Sequence, residues 1–100
     1  MYRGTTPTLT FQLPIDTGSI TVLSIAVAQA GQVKIEKTLP DVHLDGNVVS
    51  CTLTEAETLS LTAGRGIDAK IQLRVGVGGQ RMASQVFEVP IERILRDGAL

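Results

Sequence analysis

The residues of this 100-residue chain best suited to chemistry are its one histidine, its one cysteine and a pair of neighbouring acids. His43 lies in Asp41-Val42-His43-Leu44-Asp45, where alternate side chains of an extended chain share a face. One imidazole and two carboxylates so placed could hold a divalent cation. The same residues suit an exposed strand feeding a turn, with the acids serving turn chemistry, and on that reading no metal is expected. Cys51 sits inside the strand-like run Val48-Val49-Ser50-Cys51-Thr52-Leu53. That setting suits a small buried hydrophobe better than a reactive thiolate. Ser50 shares the run and lacks the strained Gly-x-Ser-x-Gly elbow of a hydrolase nucleophile. Glu55 and Glu57 point different ways at a helix start and read as capping groups rather than an acid–base pair. Gly76-Val77-Gly78-Gly79 lacks the lysine and the strand–loop–helix setting of a phosphate cradle, and reads as a hairpin turn. Arg65-Gly66-Ile67-Asp68 resembles an adhesion tripeptide, but Ile67 separates the glycine from the aspartate. The expectation is no enzyme, with no catalytic residue, cofactor site or metal ligand.

Composition narrows the remaining classes. One hundred residues support one domain and one core, hiding roughly 60–70% of the unfolded chain's surface. Apolar residues make up 43% at a net charge of −1, too many for a disordered chain. No basic run is present, which argues against nucleic acid as a partner. A single cysteine cannot form an internal disulfide, which fits synthesis in a reducing cytoplasm. The apolar run from Ile20 to Ala28 is too short to span a bilayer. Ala28-Gln29-Ala30 imitates a signal-peptidase site, but the stretch before it is too polar and too long for a signal peptide. Neither a membrane partner nor secretion is expected.

The elements that would position these residues follow a period of two, the spacing at which side chains alternate across a strand. In Thr8 to Leu13, Leu9, Phe11 and Leu13 share one face. After a loop at Pro14, Asp16 and Gly18, Ile20 to Gln29 is apolar on both faces and reads as a central strand. Gly31-Gln32 turns the chain into Val33 to Leu39, a half-solvated strand whose charges at Lys34, Glu36 and Lys37 face water. Val42 to Leu44 and Val48 to Thr54 flank Asp45-Gly46-Asn47, a tight hairpin turn. Thr54-Glu55-Ala56-Glu57 has capping-box spacing and predicts a short helix from Glu55 to about Leu61. Ile67 to Val77 sets Ala69, Ile71, Leu73, Val75 and Val77 inward, with Lys70, Gln72 and Arg74 toward water. Gly78-Gly79 then turns it into a strand from Arg81 to Ile94, with Ala83, Phe87, Val89 and Ile91 on one face. Pro90 marks an edge or a bulge. The tail from Ile94 to Leu100 reads as a last strand or a loose end.

About seven short strands with frequent turn signals predict an all-β fold, an immunoglobulin-like two-sheet antiparallel β-sandwich with one short helix. A closed barrel is the alternative. Residues 1–100 read as one domain, with 1–7 as an extended amino-terminal arm, because Met1 to Pro7 shows no apolar period.

That opening, Tyr2-Arg3-Gly4-Thr5-Thr6-Pro7, begins a set of motifs. The others are Leu44-Asp45-Gly46-Asn47, Leu53-Thr54-Glu55-Ala56-Glu57-Thr58-Leu59, Ile71-Gln72-Leu73-Arg74 and Arg93-Ile94-Leu95-Arg96-Asp97-Gly98. Together they resemble small proteins encoded in the tail-gene regions of prophages of Gram-positive bacteria. Those proteins are in turn distantly similar to the amino-terminal sandwich of phage baseplate upper proteins. The resemblance covers nearly the whole chain, rests on turns and caps, and carries no catalytic residues. It implies a virion structural or assembly protein of the tail or baseplate, made in the bacterial host cytoplasm. Its partners would be other tail or baseplate proteins or further copies of itself, met through a flexible arm and sheet edges. A glycan- or host-surface-binding module is the alternative, although no tryptophan and only three aromatic residues supply a poor sugar platform.

Overall fold

The structure, a computed structural model, describes residues 1–64 and 67–100. Two antiparallel sheets pack face to face. The first contains β1 (Thr8–Gln12), β4 (His43–Asp45) and β5 (Val48–Thr52), in the order β1-β5-β4. The second contains β2 (Val22–Gln29), β3 (Gln32–Thr38), β6 (Asp68–Val77), β7 (Gln80–Ala83) and β8 (Phe87–Pro90). Its order is β3-β2-β6-β7, with β8 pairing the other end of β6. The fold is therefore the expected all-β two-sheet sandwich. A short α-helix, α1 (Glu55–Leu59), links β5 to the second sheet.

Alternation builds the core. Leu23, Ile25 and Val27 of β2 and Ala69, Ile71, Leu73 and Val75 of β6 are buried from one side, and Val49, Cys51 and Leu53 from the other. As its two apolar faces required, β2 is central, flanked by β3 and β6. Tight turns close the hairpins. Gly46 and Gly78 adopt positive φ between β4 and β5 and between β6 and β7, and Ala30 (φ 51°) does so beside Gly31.

Several expectations need correction. The helix stops at Leu59 rather than near Leu61. Ser60 N–H turns back to Ala56 O and Glu57 O, which frees Leu61 to leave the helix and enter the core. Gly76 belongs to β6 and not to the turn: it pairs with Val22 of β2 and Arg81 of β7, and a Cβ there would collide with the Val22 side chain. The strand foreseen from Arg81 to Ile94 is two strands. Ser84 Oγ accepts from Leu73 N–H (3.0 Å), Ser84 N–H donates to Leu73 O (2.8 Å), and the register on β6 slips by one residue past this point. Met82, opposite Val75, therefore faces inward, while Ala83, opposite Arg74, faces out. Gln72 is half-buried rather than fully solvated, since its Nε2 donates to Ser84 O (3.0 Å).

Lys37 also departs from the solvated face assigned to it. Its side chain is only 13% exposed and its Nζ lies 2.8 Å from Glu57 Oε1, tying β3 to α1.

The opening segment is extended in sequence but is not a free arm. The Met1 amine donates to Pro90 O (2.8 Å), Glu92 N–H to Met1 O and Arg3 N–H to Glu92 O. Arg3 Nε donates to Leu61 O (2.7 Å) and Nη2 to Leu59 O (2.8 Å), satisfying carbonyls at and just past the end of α1. Arg3 Nη1 also pairs with Asp97. Thr58 is fully buried; its Oγ1 accepts from Thr5 N–H (3.1 Å) and donates to Thr5 O (2.8 Å). Apart from Met1, which packs against the core, hydrogen bonds hold the segment, which is why hydrophobic period gave no sign of it.

Candidate interaction surface

The residues singled out for chemistry lie apart. His43 and Asp45 stand exposed on β4, opposite Ser50 and Val48. Asp41 precedes them in a 3-10 turn, where its Oδ2 accepts from Thr38 N–H (2.9 Å) and Thr38 Oγ1 (3.2 Å). The backbone hydrogen bond, then that hydroxyl, hold the Asp41 carboxyl below its ordinary range. It is a turn cap. Among the described residues, no group of three His, Cys, Asp or Glu side chains could hold a metal.

Cys51 is buried on β5, and burial pushes its thiol up, against a smaller opposing pull from the Lys37 ammonium. An un-ionised thiol in the core is a packing group. Glu57 closes the capping box: its Oε1 accepts from Thr54 N–H (2.8 Å), and Thr54 Oγ1 accepts from Glu57 N–H (3.1 Å). Burial would raise the Glu57 carboxyl, but Lys37 and the Thr54 N–H outweigh it and hold it below its usual value. Glu55, two residues earlier, makes no pair with it; its Oε2 accepts from Leu100 N–H (3.2 Å). Gly78 and Gly79 form the β6–β7 hairpin. The Arg65-Gly66 half of the adhesion-like tetrapeptide lies outside the described residues.

What the molecule does present is an uncovered side between the sheets, where the outer edge of β1 runs beside β7 and β8. Leu9 and Phe11 face the core side of β1, yet both are only half-buried. Phe11 meets Phe87 of β8 with ring centroids 6.2 Å apart and planes tilted by 56°. Phe87 remains 40% exposed. Two hollows flank this aromatic pair. One, of about 300 Å³, is lined by Leu9, Phe11, Ile71, Phe87 and Val89 along with threonines of β1. The other, of about 400 Å³, is lined by Leu13, Ile15, Leu73, Val75 and Met82 with neighbouring polar groups. Among the described residues no charged side chain lines either. The alternation of β1 was legible in the sequence; that its far edge lacks a strand depends on sheet order and was not.

Among the described residues no helix is long and apolar enough to cross a membrane. Compared with protein-family models, curated proteins and solved structures, the chain finds no match.

Proposed function

We propose that this chain is a non-enzymatic phage structural or assembly protein, associated with the tail or baseplate and acting through protein–protein contacts. The observation that carries the contact reading is the uncharged, unpartnered edge of β1 beside half-covered Leu9, Phe11 and Phe87. Such an edge offers unpaired N–H and C=O groups, and strand addition satisfies them while alternate side chains fill adjoining hollows. The phage setting is supported by the motifs from Tyr2 to Pro7, Leu53 to Leu59 and Arg93 to Gly98 and their resemblance to prophage tail-region proteins. On this reading the protein is made in the host cytoplasm and becomes a virion component. Its docked amino-terminal segment braces the fold, so the contact falls to the sheet edge.

Proteomic quantification of purified particles from an induced lysogen tests the proposal. The expected result is the chain at fixed stoichiometry to the tail proteins. Its absence from particles and from tail-assembly intermediates would sink the phage reading and favour a host-directed binding module.

A further inference from the structure

The four sheet edges differ in how well they are protected against pairing. On β3 the register shifts between Val27 and Ala28, leaving Lys34 without a partner, and Glu36 adds a second charge. A bulge and charges of this kind blunt an edge. The β4 edge is three residues long and ends on Asp45. The β7–β8 edge is broken at Ser84 and carries Arg81, Glu88 and Pro90. The β1 edge, Thr8-Leu9-Thr10-Phe11-Gln12, has no charge, no proline and a continuous register with β5.

Hydrogen bonds at both ends of β1 fix which of its groups face outward. Leu53 N–H donates to Pro7 O (2.9 Å), and Leu13 N–H to Asn47 O (2.7 Å). In an antiparallel ladder bonded pairs alternate with non-bonded ones. Leu9 and Phe11, in step with Pro7 and Leu13, therefore bond to Cys51 and Val49 of β5. Thr8, Thr10 and Gln12 turn their N–H and C=O groups to the open side.

We propose that this edge pairs with the same edge of a second copy, antiparallel and centred on Thr10, joining two three-stranded sheets into one six-stranded sheet. This names the partner of the contact surface proposed above and rests on that contact reading, but not on the phage setting. The register is self-complementary. Thr10 lies opposite Thr10 of the second copy and Thr8 opposite Gln12, so every outward backbone group meets a bonded partner. Leu9 falls opposite Phe11 in the close, non-bonded pairs on the core side, where cross-strand apolar contact is strongest. A centre at Gln12 would set Thr10 against Pro14, which has no N–H to give.

Charge favours this occupant, and the trough beside β1 lets it bury more than the strand alone. A neutral strand meeting its own copy brings no like charges together, which the edges of β3 and β4 could not avoid. A stable dimer buries about 1,200 Å² or more in total, and five paired residues per copy are narrow for that. The remainder comes from the trough beside β1. There Phe11 of the second copy enters the hollow by Leu9, Phe87 and Val89, and its Leu9 enters the one by Leu13 and Met82.

Sedimentation velocity on the full chain provides the test. The unaltered protein, 10.6 kDa as a monomer, is expected to sediment at twice that mass at high micromolar loading. Thr10 is exposed on the outer face of its sheet, so Thr10→Lys and Thr10→Glu leave the fold intact. Each alone should be monomeric, because like charges then oppose across the axis, and an equal mixture should restore the dimer. Amide exchange on the unaltered protein gives a mutation-free check: the Thr8, Thr10 and Gln12 N–H groups slow as concentration rises. A monomer at all concentrations, a Thr10→Lys protein that still dimerises, or a mixture that stays monomeric would overturn the pairing. Incorporation of a monomeric chain into particles would overturn it while leaving the phage reading in place. A dimer that meets these criteria but is absent from particles would uphold it and remove that reading.

Discussion

Arg3→Ala is expected to destabilise the whole domain, although Arg3 sits outside every strand. Its guanidinium is the only described partner of the Leu59 carbonyl and of the Leu61 carbonyl, at 2.8 and 2.7 Å. Hydrogen bonds to charged groups contribute about 1.5–3 kcal/mol each where both partners are withdrawn from water. The Arg3 side chain is 20% exposed and borders an open hollow, so water can replace part of what is lost. Two such bonds would amount to about 3–6 kcal/mol if fully withdrawn from water, and replacement of part of this by water leaves a net loss of about 2–3 kcal/mol. For a domain of this size about 1 kcal/mol moves the melting temperature by about 4 °C, so a fall of roughly 8–12 °C is expected. Thermal and urea melts followed by circular dichroism read this directly. Arg3→Lys should rescue little, because a single ammonium does not span two carbonyls as a planar fork does. Asp97→Asn should leave the melt nearly unchanged, since Asp97 is exposed and its contact with Arg3 is a surface ion pair. An Arg3→Ala protein that melts with the unaltered one would show that the opening segment is a loose arm, and the bracing role would fail.

Core substitution on β6 should separate the two faces of that strand: Leu73→Ala is expected to cost about 2–5 kcal/mol and Lys70→Ala under about 0.5 kcal/mol, and equal effects in urea melts would sink the register. Gln29 is buried, with its Nε2 donating to Thr62 O and its Oε1 accepting from Thr62 N–H, both at 2.8 Å. Gln29→Leu, by leaving both backbone groups without a partner, should cost about 1–3 kcal/mol; a neutral result would mean that this loop detaches in solution. Because the Glu57 carboxyl is held below its unfolded value, its stabilisation is complete above the unfolded range near pH 4.3 and fades as pH falls through the lower folded value. Glu57→Gln should therefore cost about 0.5–1 kcal/mol at neutral pH, and a gap between the two melting curves that persisted undiminished in acid would refute the ionic origin.

The readability of this fold follows the range of the interactions involved. β6 was plain because its faces differ in chemistry at every second residue, and that contrast is written locally. Lys37 was misplaced because its partner Glu57 lies on an element that packing, not sequence neighbourhood, brings near. The break between β7 and β8 rests on one hydroxyl, that of Ser84, bonding a main-chain N–H of another strand; a serine in a polar stretch carries no mark of this. The chemistry candidates were readable for a similar reason. Thr38–Asp41 and Thr54–Glu57 are caps between residues three apart, so the residue types alone pointed to turns. The exposed edge lay beyond reach because it depends on which strand fails to gain a neighbour, a property of the assembled sheet.

The central place of β2 has a consequence for how the chain is made. Its hairpin partner β3 follows at once, but its other neighbour arrives late: Val27 pairs with Ile71, 44 residues further on. At about 5–20 residues per second of synthesis, one side of β2 stays bare for roughly 2–9 s. The last contacts to form are the most distant, since Met1 reaches Pro90 across 89 residues. Pairings this remote place folding in the millisecond-to-second range typical of sandwiches rather than the microseconds of helical bundles. A nascent chain stalled before Asp68 would therefore expose a strand that is apolar on both faces, with an open row of hydrogen-bonding groups, and would be a natural client for chaperones.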